Sequence, residues 1–406
     1  MNHARNSDTS DRGFVIHGAR VWDGVSDRVD PCPHDIRVHR GRIVAIGADE
    51  NSDLEDEVWT APAGATALPG LIDAHVHLTL DPTIASLSAQ LSIPEPTVAA
   101  GSAARAEQMV RAGITTARDL GGGAWLEVAL RDRIDAGELA GPRLLCAGQP
   151  LTPPGGHCHF WGGEVDGPDA VRAVIDRQID QKVDWIKVMA TGGVNTKGYS
   201  IRQAQFDVTE LASIRELAHS AGLPVAAHCH GTVGIRNAVE ARVASIEHCS
   251  FAGKKGFGDD FDASLPARIR RAGTWVSPTI NAGWERFAER DDSRFYRDVR
   301  RYLAALREAG VRLVASTDAG IPNVAHHDLA RALAVFARYA DFSAAEVVRS
   351  ATSHAAQALG LADETGTLRV GLAADVLVVP GDPTEDLAVL AQPALVVARG
   401  RRFYAS

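Results

Sequence analysis

The sequence has few cysteines, no long apolar run and no concentration of basic charge. Its five cysteines are odd in number and lack a CxxC spacing, which argues against a disulfide framework and a thiolate zinc cluster. No uninterrupted apolar stretch approaches the roughly 18 to 20 residues that cross a bilayer, and the polar N-terminus MNHARNSDTSDRGF lacks a signal-peptide core. We therefore expect a cytoplasmic protein with no membrane partner.

Charge and composition exclude further classes. The 42 Lys and Arg residues against 51 Asp and Glu residues give a net charge of −9, so nucleic acid is not an expected partner. Hydrophobic residues make up 45% and charged residues 23%, which is typical of globular chains and excludes a disordered one. A length of 406 residues favours one large domain and one smaller domain, and it leaves the oligomeric state open, a homo-oligomer included.

The middle of the chain alternates short apolar strands with amphipathic helices that end in Ala-Gly before the next strand. Eight strands over about 290 residues predict a (β/α)8 TIM barrel from 65 to 361, with the active site at the carboxyl ends of its strands. A doubly wound open sheet is the structural alternative. The predicted strands lie within residues 70–77, 111–119, 142–149, 184–192, 220–230, 244–250, 271–279 and 308–318.

Both chain ends have strand character instead. Residues 14–22, 35–47 and 57–62 are apolar strands between turns, and β character returns after a last predicted helix over 344–360. Neither end could bury its apolar face alone. The sequence therefore predicts one small composite β domain, a β-sandwich built from 1–64 and 362–406.

Histidines carry the clearest chemical signal. His75 and His77 end the first barrel strand, and side chains two residues apart on a strand point to the same face. A His-x-His pair alone is weak evidence for a metal site. However, His228 ends the fifth strand, His248 the sixth and Asp318 the eighth, and a barrel brings its strand ends close together. The pattern predicts a metal centre.

Lys187, on the fourth strand, does not fit a simple zinc site. A protonated lysine beside two dications is strongly disfavoured because like charges repel in a poorly solvated mouth. Carboxylation by carbon dioxide would turn the amine into an anionic carbamate able to bridge two metals about 3.5–4 Å apart. The competing interpretation is a lysine that extends to the surface or pairs with a carboxylate.

Together these motifs resemble the amidohydrolase superfamily, in particular its binuclear branch with a carboxylated lysine. That branch includes prolidase-like dipeptidases, ochratoxin amidase and relatives of imidazolonepropionase. The resemblance covers nearly the whole chain. The matching stretches, in family order, are PGLIDAHVHL (69–78), DWIKVMATGGV (184–194), VAAHCHG (225–231), SIEHCS (245–250) and STDAG (316–320).

The resemblance implies a ligand set and a mechanism. It implies that His75 and His77 hold one metal with Asp318, that His228 and His248 hold the second, and that carboxylated Lys187 bridges them. Two divalent ions are therefore expected, with zinc as the default and cobalt, manganese or iron as alternatives. Two metals would generate a bridging hydroxide near neutral pH and polarise the scissile carbonyl, while Asp318 would act as general base and then general acid.

Other residues are candidates for contacts with a small-molecule substrate. His230 lies two residues beyond His228 and is predicted to share its face, as a catalytic or substrate contact or as a hydrogen-bonded wall residue. His157 and His159 lie in a loop that resembles a histidine-bearing loop of prolidase-like relatives. Tyr199 and Arg202 are possible anchors for a substrate carboxylate, although a lone loop arginine is usually solvated.

The expected reaction is hydrolysis of a C–N amide bond in a dipeptide or an N-acyl amino acid. A carbamate, a lactone or an ester is an alternative substrate for the same site. Mononuclear deaminases of the superfamily carry a Glu three residues after the histidine of the fifth strand, where this chain has Gly231. A non-catalytic barrel scaffold is the alternative from another class, and the filled ligand positions argue against it.

Overall fold

The computed structural model describes residues 13–47, 56–194, 196, 199–290 and 293–404. Its strands are β1 (Phe14–Val21), β2 (Asp30–His39), β3 (Arg42–Ile46), β4 (Glu57–Thr60), β5 (Ala65–Pro69), β6 (Leu71–Val76), β7 (Ile114–Asp119), β8 (Arg143–Cys146), β9 (Ile186–Met189), β10 (Val225–Cys229), β11 (Ser245–His248), β12 (Trp275–Ser277), β13 (Val376–Pro380), β14 (Leu395–Ala398) and β15 (Arg401–Tyr404). Its α-helices are α1 (Leu87–Leu91), α2 (Glu95–Arg111), α3 (Leu126–Asp135), α4 (Pro168–Asp180), α5 (Val208–Ser220), α6 (Thr232–Glu240), α7 (Leu265–Ala272), α8 (Glu285–Ala288), α9 (Arg294–Glu308), α10 (Leu329–Ala340), α11 (Ala344–Ser350) and α12 (Ser353–Ala358).

Strands from both chain ends join in one sheet of eight. Its order is β15-β14-β13-β5-β1-β2-β3, and β4 pairs with β1. The two ends meet where β13 runs antiparallel to β5, with Leu377 opposite Leu68. Apolar side chains of both segments, among them Ile16, Val38 and Val376, bury one another in a core of their own. The described strands form one sheet rather than two facing sheets, so the predicted sandwich is not confirmed, and the domain boundaries stay a prediction.

Seven parallel strands alternate with helices in the middle of the chain. They form one sheet of three strands, β6-β7-β8, and one of four strands, β12-β11-β10-β9. Strands β6, β7 and β9 to β12 are buried along their whole length, as expected for parallel strands that are covered on both faces. This arrangement is a TIM-barrel-like α/β fold, and each of the seven strands lies within a predicted one.

The eighth predicted strand, 308–318, differs from the prediction. Residues 311–318 make only isolated bridges to their neighbours, Leu313 with Val276 of β12, and the adjoining Ala319 bridges Val76 of β6. The backbone amide of Thr317 donates to the Asp73 carboxylate at 3.1 Å instead of to a carbonyl on a neighbouring strand. The segment still hydrogen-bonds to both neighbours, for example from Val314 N to the Val276 carbonyl at 3.0 Å and from Asp318 N to the His75 carbonyl at 2.9 Å. Because these bonds form no regular ladder and β8 and β9 share none either, the described residues form two parallel sheets rather than one continuous closed barrel.

Helix ends follow the local sequence signals. The glycines of the Ala-Gly pairs, Gly113, Gly222, Gly273 and Gly310, all have positive φ angles, between 73° and 90°. That backbone conformation favours glycine and ends a helix. The single helix predicted over 344–360 is two helices, α11 and α12, because the chain turns at 351–352 and the Ala351 carbonyl accepts from Ile72 of β6 at 2.7 Å.

No helix among the described residues is both long enough and apolar enough to span a membrane.

Candidate metal centre

Three side chains from two ends of the parallel array converge on one point. His75 Nε2 lies 3.3 Å from His77 Nε2 and 3.3 Å from Asp318 Oδ1, and His77 Nε2 lies 3.5 Å from the same oxygen. Donor atoms held tetrahedrally about 2.0–2.1 Å from a zinc ion are about 3.4 Å apart. The spacing of the three atoms therefore fits a single metal ion at their centre.

Hydrogen bonds on the far side of each ring fix which nitrogen faces that point with a lone pair. His75 Nδ1 lies 3.0 Å from Glu247 Oε2, and His77 Nδ1 lies 3.0 Å from the Gly121 carbonyl oxygen. Because a carboxylate and a carbonyl only accept, both Nδ1 atoms donate, and both neutral rings present an unprotonated Nε2. With the Asp318 oxygen, three acceptors face one another, and such a group requires a positive charge.

The pKa values of this group agree with that requirement. Burial alone would lower the pKa of His77, but the hydrogen bond and the charge of Asp318 raise it above its usual value. Burial alone would raise the pKa of Asp318, but His75 and His77 hold it well below its usual range. The group thus attracts either a proton or a metal cation.

A second group of donors consists of three buried histidines, His228, His230 and His248, each of which can direct one ring nitrogen toward the other two. His248 Nε2 lies 2.9 Å from His228 Nδ1, and His228 Nε2 donates to the Gly192 carbonyl at 3.2 Å. Burial lowers the pKa of His228 and His248 well below the usual value, and the neighbouring imidazoles lower it further. They are therefore neutral, which is the form that binds metals.

Lys187 lies on the same cavity as both groups. Its side chain is 1% exposed, and no hydrogen bond of its amine is found within the described part of the chain. Burial lowers the pKa of Lys187 to about 8, against the opposing effect of Glu247 and Asp318. A charged amine on a mostly buried lysine that borders an apolar-walled cavity is costly, so Lys187 is a candidate for modification or metal contact.

A buried network that the sequence analysis missed positions the first group. The fully buried Glu247 carboxylate accepts from Arg118 at 2.8 Å and from Ser245 at 2.6 Å, in addition to His75. Burial alone would raise the pKa of Glu247, but Arg118 and His75 hold it well below its usual range. Glu247 and His248 are neighbours on β11, and in a regular strand their side chains would point to opposite faces of the sheet. His248 has a φ of 66°, so the backbone departs from strand geometry at this residue. Glu247 contacts the first donor group and His248 belongs to the second.

Asp73 performs a similar task for Asp318. Its carboxylate accepts from the His75 amide at 3.2 Å and from the Thr317 hydroxyl at 2.6 Å, in addition to the Thr317 amide. Asp318 itself has a φ of 60°, in the left-handed region that non-glycine residues rarely occupy. The bonds to Asp73 thus hold the segment that presents Asp318 toward β6.

The donors form the floor of a cavity of about 270 Å³. Its walls are mostly apolar and include Leu80, Phe160, Trp161, Phe257, Trp284 and Ile321. His157, a predicted substrate contact, lines the cavity, with its ring centroid 4.6 Å from that of His228 and its Nδ1 2.9 Å from Thr196 Oγ1. His230 also lines it, with Nδ1 2.8 Å from Ser250 Oγ.

Three predicted substrate contacts are not part of that lining. His159 Nδ1 donates to the Gly156 carbonyl at 3.0 Å, Tyr199 is half-buried, and Arg202 is exposed. Among the described residues, the structure therefore brings together all six predicted metal ligands with His157 and His230, but not these three. Their proposed roles stay predictions.

Comparisons with known proteins identify a family model and several similar proteins. The family model described as Amidohydrolase family matches residues 66–402. An ochratoxinase from Aspergillus niger is 27% identical over 363 residues, which cover 81% of this chain and 73% of that protein. An imidazolonepropionase from Chloroflexus aggregans is 26% identical over 384 residues, which cover 86% of this chain and 84% of that protein. The structure of a Xaa-Pro dipeptidase with methionine bound in its active site is similar with a TM-score of 0.84 and 28% identity, over 97% of this chain and 100% of that one.

Proposed function

Since this chain belongs to the amidohydrolase family and is an enzyme that acts on C–N bonds, we propose that it is a binuclear, metal-dependent hydrolase of small-molecule amides. His75, His77 and Asp318 would hold one divalent ion. His228 and His248 would hold a second, and carboxylated Lys187 would bridge the two. Zinc suits a set of imidazole and carboxylate ligands, and ions bound there would lower the pKa of water and polarise the scissile carbonyl.

The observation that carries the proposal is the convergence of three acceptors, His75 Nε2, His77 Nε2 and Asp318 Oδ1, within 3.3 to 3.5 Å of one another. No arginine or lysine other than Lys187 belongs to the described lining of the cavity. Lys187 itself makes no hydrogen bond or ion pair with these three atoms in the described structure, which supports a bound metal cation as their partner. The second histidine group opens onto the same cavity, which supports two ions rather than one.

Carboxylation of Lys187 is supported by its burial beside the cavity and by the absence of a hydrogen bond from its amine to any described residue. A pKa lowered to about 8 by burial leaves part of the amine neutral near pH 7, and a neutral amine can attack carbon dioxide. The nitrogen lone pair forms the N–C bond while one C=O π pair of carbon dioxide moves onto oxygen, and the nitrogen releases one proton to water, so the product is an anionic carbamate. The positive charge that is unfavourable beside two metals is thereby replaced by a negative one.

Asp318 is the proposed proton carrier. Its side chain is 16% exposed and lines the cavity, so it can reach a substrate. With its pKa held low by His75 and His77, the carboxylate is ionised and can accept a proton from the attacking water. The same carboxyl can then deliver that proton to the leaving nitrogen.

His230 is proposed to contact the substrate during the reaction. It lines the cavity beside His228 and His248, and burial lowers its pKa to about 4, so its ring is neutral. Its Nδ1 is paired with the Ser250 hydroxyl, which can either donate or accept. A neutral ring held in this way can donate one hydrogen bond to an oxygen that gains negative charge.

The proposed substrate is a dipeptide or an N-acyl amino acid with an apolar side chain. The apolar cavity walls support it, because apolar substrate groups bind where apolar surface is available. The relatives support it as well, since one is a Xaa-Pro dipeptidase and another an ochratoxinase. Both share more than a quarter of their aligned residues with this chain.

Metal analysis and a substrate screen test the proposal together. Metal-loaded protein should contain about two ions per chain by mass spectrometry and should hydrolyse dipeptides or N-acyl amino acids. His228→Ala should lower the metal content, whereas His219→Ala, which removes an exposed histidine of α5, should not. Preferential cleavage of lactones or carbamates would overturn the substrate class. A full turnover rate in metal-free protein would overturn the metal dependence.

A further inference from the structure

Histidine and aromatic rings form one continuous row through the cavity. Within the two donor groups, neighbouring ring centroids are 5.2 Å apart for His77 and His75, 5.3 Å for His75 and His248, and 4.5 Å for His248 and His230. At one end the row continues to Trp161, 5.4 Å from His77. At the other it continues to Phe257, 5.3 Å from His230, and to Trp284, 6.3 Å from Phe257. An indole ring therefore stands at each end of the donor groups.

At the Trp284 end of the row, the aromatic rings form a partly exposed surface that is fixed by contacts with neighbouring residues. Phe257 stacks on His230 with an angle of 22° between the rings, and both Phe257 and Trp284 are half-buried. Behind the cavity, Trp284 packs edge-on against Phe295 at 5.0 Å, and its carbonyl accepts from the Tyr339 hydroxyl at 3.1 Å. These contacts fix the ring while they leave part of it free to meet a ligand.

The end near Trp161 is built from a different loop. Trp161 packs edge-on against Phe160 at 5.3 Å, and both rings line the cavity. They lie in the 3₁₀ turn His159–Trp161, which Gly162 ends with a φ of 82°. The two ends are thus separate surfaces, so each can select one part of a substrate independently of the other.

Among the described lining residues, no charged side chain lies at either end. Apart from the histidines, the ionisable side chains of the described lining are Lys187, Asp318 and Cys158, and the first two belong to the floor. A charged group placed against apolar walls without a partner is strongly disfavoured, whereas a ring gains both burial and ring–ring contact there. We infer that the cavity takes amides with an apolar, preferably ring-bearing group on each side of the C–N bond, with Trp161 contacting one group and Trp284 the other.

This inference rests on the proposed amide hydrolysis, and four neutral amides test it. N-benzylbenzamide has a ring on both sides of the amide, N-methylbenzamide and N-benzylacetamide have one ring each, and N-methylacetamide has none. For metal-loaded wild-type protein, kcat/KM should fall by about tenfold or more for each ring removed. Where none of the four is cleaved, the Kd of the same compounds, measured by calorimetry, replaces kcat/KM, which separates a failure of the proposed hydrolysis from a failure of this inference.

Substitutions of the two tryptophans test which end of the cavity contacts which side of the amide. Trp161→Leu should abolish the preference for a ring on one side only, and Trp284→Leu should abolish it on the opposite side. Trp161→Phe should keep the preference because it keeps a ring. Phe342→Leu, which removes a half-buried ring packed on Phe336 outside the cavity, is the matched control and should change neither preference. Equal values for all four compounds in the wild type, or an equal loss on all four in both tryptophan variants, would overturn the inference.

Discussion

His248 and Thr279 are joined by a hydrogen bond of 2.8 Å between Nδ1 and Oγ1, and both have left-handed backbones, with φ angles of 66° and 53°. A β-branched residue in that conformation is a marked outlier, and such strain persists only where the surrounding structure imposes it. The Thr279 amide is held by Ser316 Oγ at 3.0 Å. For His248 to offer Nε2 to a metal, its Nδ1 must donate to the Thr279 hydroxyl.

Thr279→Val should weaken the binding of the second metal ion, proposed at His228 and His248, and leave the binding of the first unchanged. The substitution keeps the β-branched shape but removes the acceptor for His248 Nδ1. Loss of such a supporting bond typically lowers metal affinity about 10- to 100-fold. A titration against a chelator should therefore show one ion bound as in the wild type and one bound more weakly.

Two further variants make that result specific. Thr279→Ser keeps the hydroxyl and should restore both affinities. Thr274→Val removes a buried hydroxyl that donates only to the Val243 carbonyl, at 3.0 Å, and should leave both ions bound. Equal weakening of both ions in Thr279→Val would show that the threonine supports the whole site rather than His248.

Lys187→Ala should abolish activity and lower the metal content, because the proposed bridge is lost. A short carboxylic acid such as propionate should restore part of both, since it can occupy the vacated space and supply two oxygens. In the wild type, ¹³C-labelled carbon dioxide should give a carbamate signal by NMR that is absent in the variant. Full activity of Lys187→Ala, or wild-type protein that is active without the carbamate signal, would contradict the carboxylation.

Asp318→Asn should lower kcat by about 10²- to 10⁴-fold, the usual contribution of a general acid and base. The amide oxygen can still coordinate weakly, so at least one metal should remain bound. Turnover and metal content measured on the same preparation separate the two proposed roles of Asp318. A variant within a few-fold of wild-type kcat would remove Asp318 from proton transfer.

The convergence of the proposed metal ligands could be predicted from the sequence because the rules that place these side chains are local. Strand alternation puts His75 and His77 on one face, and carboxyl ends of parallel strands share one rim. His228 and His248 meet at 2.9 Å for the same reason, on neighbouring strands. None of these placements requires knowledge of a long-range side-chain contact.

The hydrogen bonds that position the proposed ligands, those of Glu247 to His75 and of Asp73 to Thr317, could not be predicted in this way. Glu247 and Arg118 are far apart in sequence, and their contact depends on how strands from two sheets face each other. The backbone before Asp318 is bound by the Asp73 carboxylate through the Thr317 amide and hydroxyl, a side-chain contact that no strand pattern predicts. Loop residues such as Arg202 were the least predictable, because a loop has no periodicity that fixes the direction of a side chain.

Glu127, in the first turn of α3, illustrates a pH effect that no motif indicates. Its side chain is fully buried, and neither carboxyl oxygen has a hydrogen-bond partner within the described residues. Burial, together with the charge of Asp119, raises the pKa of Glu127 to about 8. Asp119 is engaged elsewhere, since it accepts from the Leu78 and Gly121 amides at 2.7 and 2.9 Å.

The free energy of unfolding of Glu127→Gln, relative to that of the wild type, should therefore increase as the pH rises from 5 to 8. In that range the unfolded carboxyl is ionised while the folded one keeps its proton, so the folded state binds more protons and the wild type loses stability with increasing pH. Glutamine is neutral throughout and has no such loss. The thermal midpoints of metal-loaded wild type and Glu127→Gln should differ little at pH 5, and at pH 8 the midpoint of Glu127→Gln should be several degrees higher. Glu216→Gln, at an exposed position of α5, is the control for loss of one carboxylate. Parallel pH curves for the wild type and Glu127→Gln would show instead that the buried carboxyl is ionised in the folded protein.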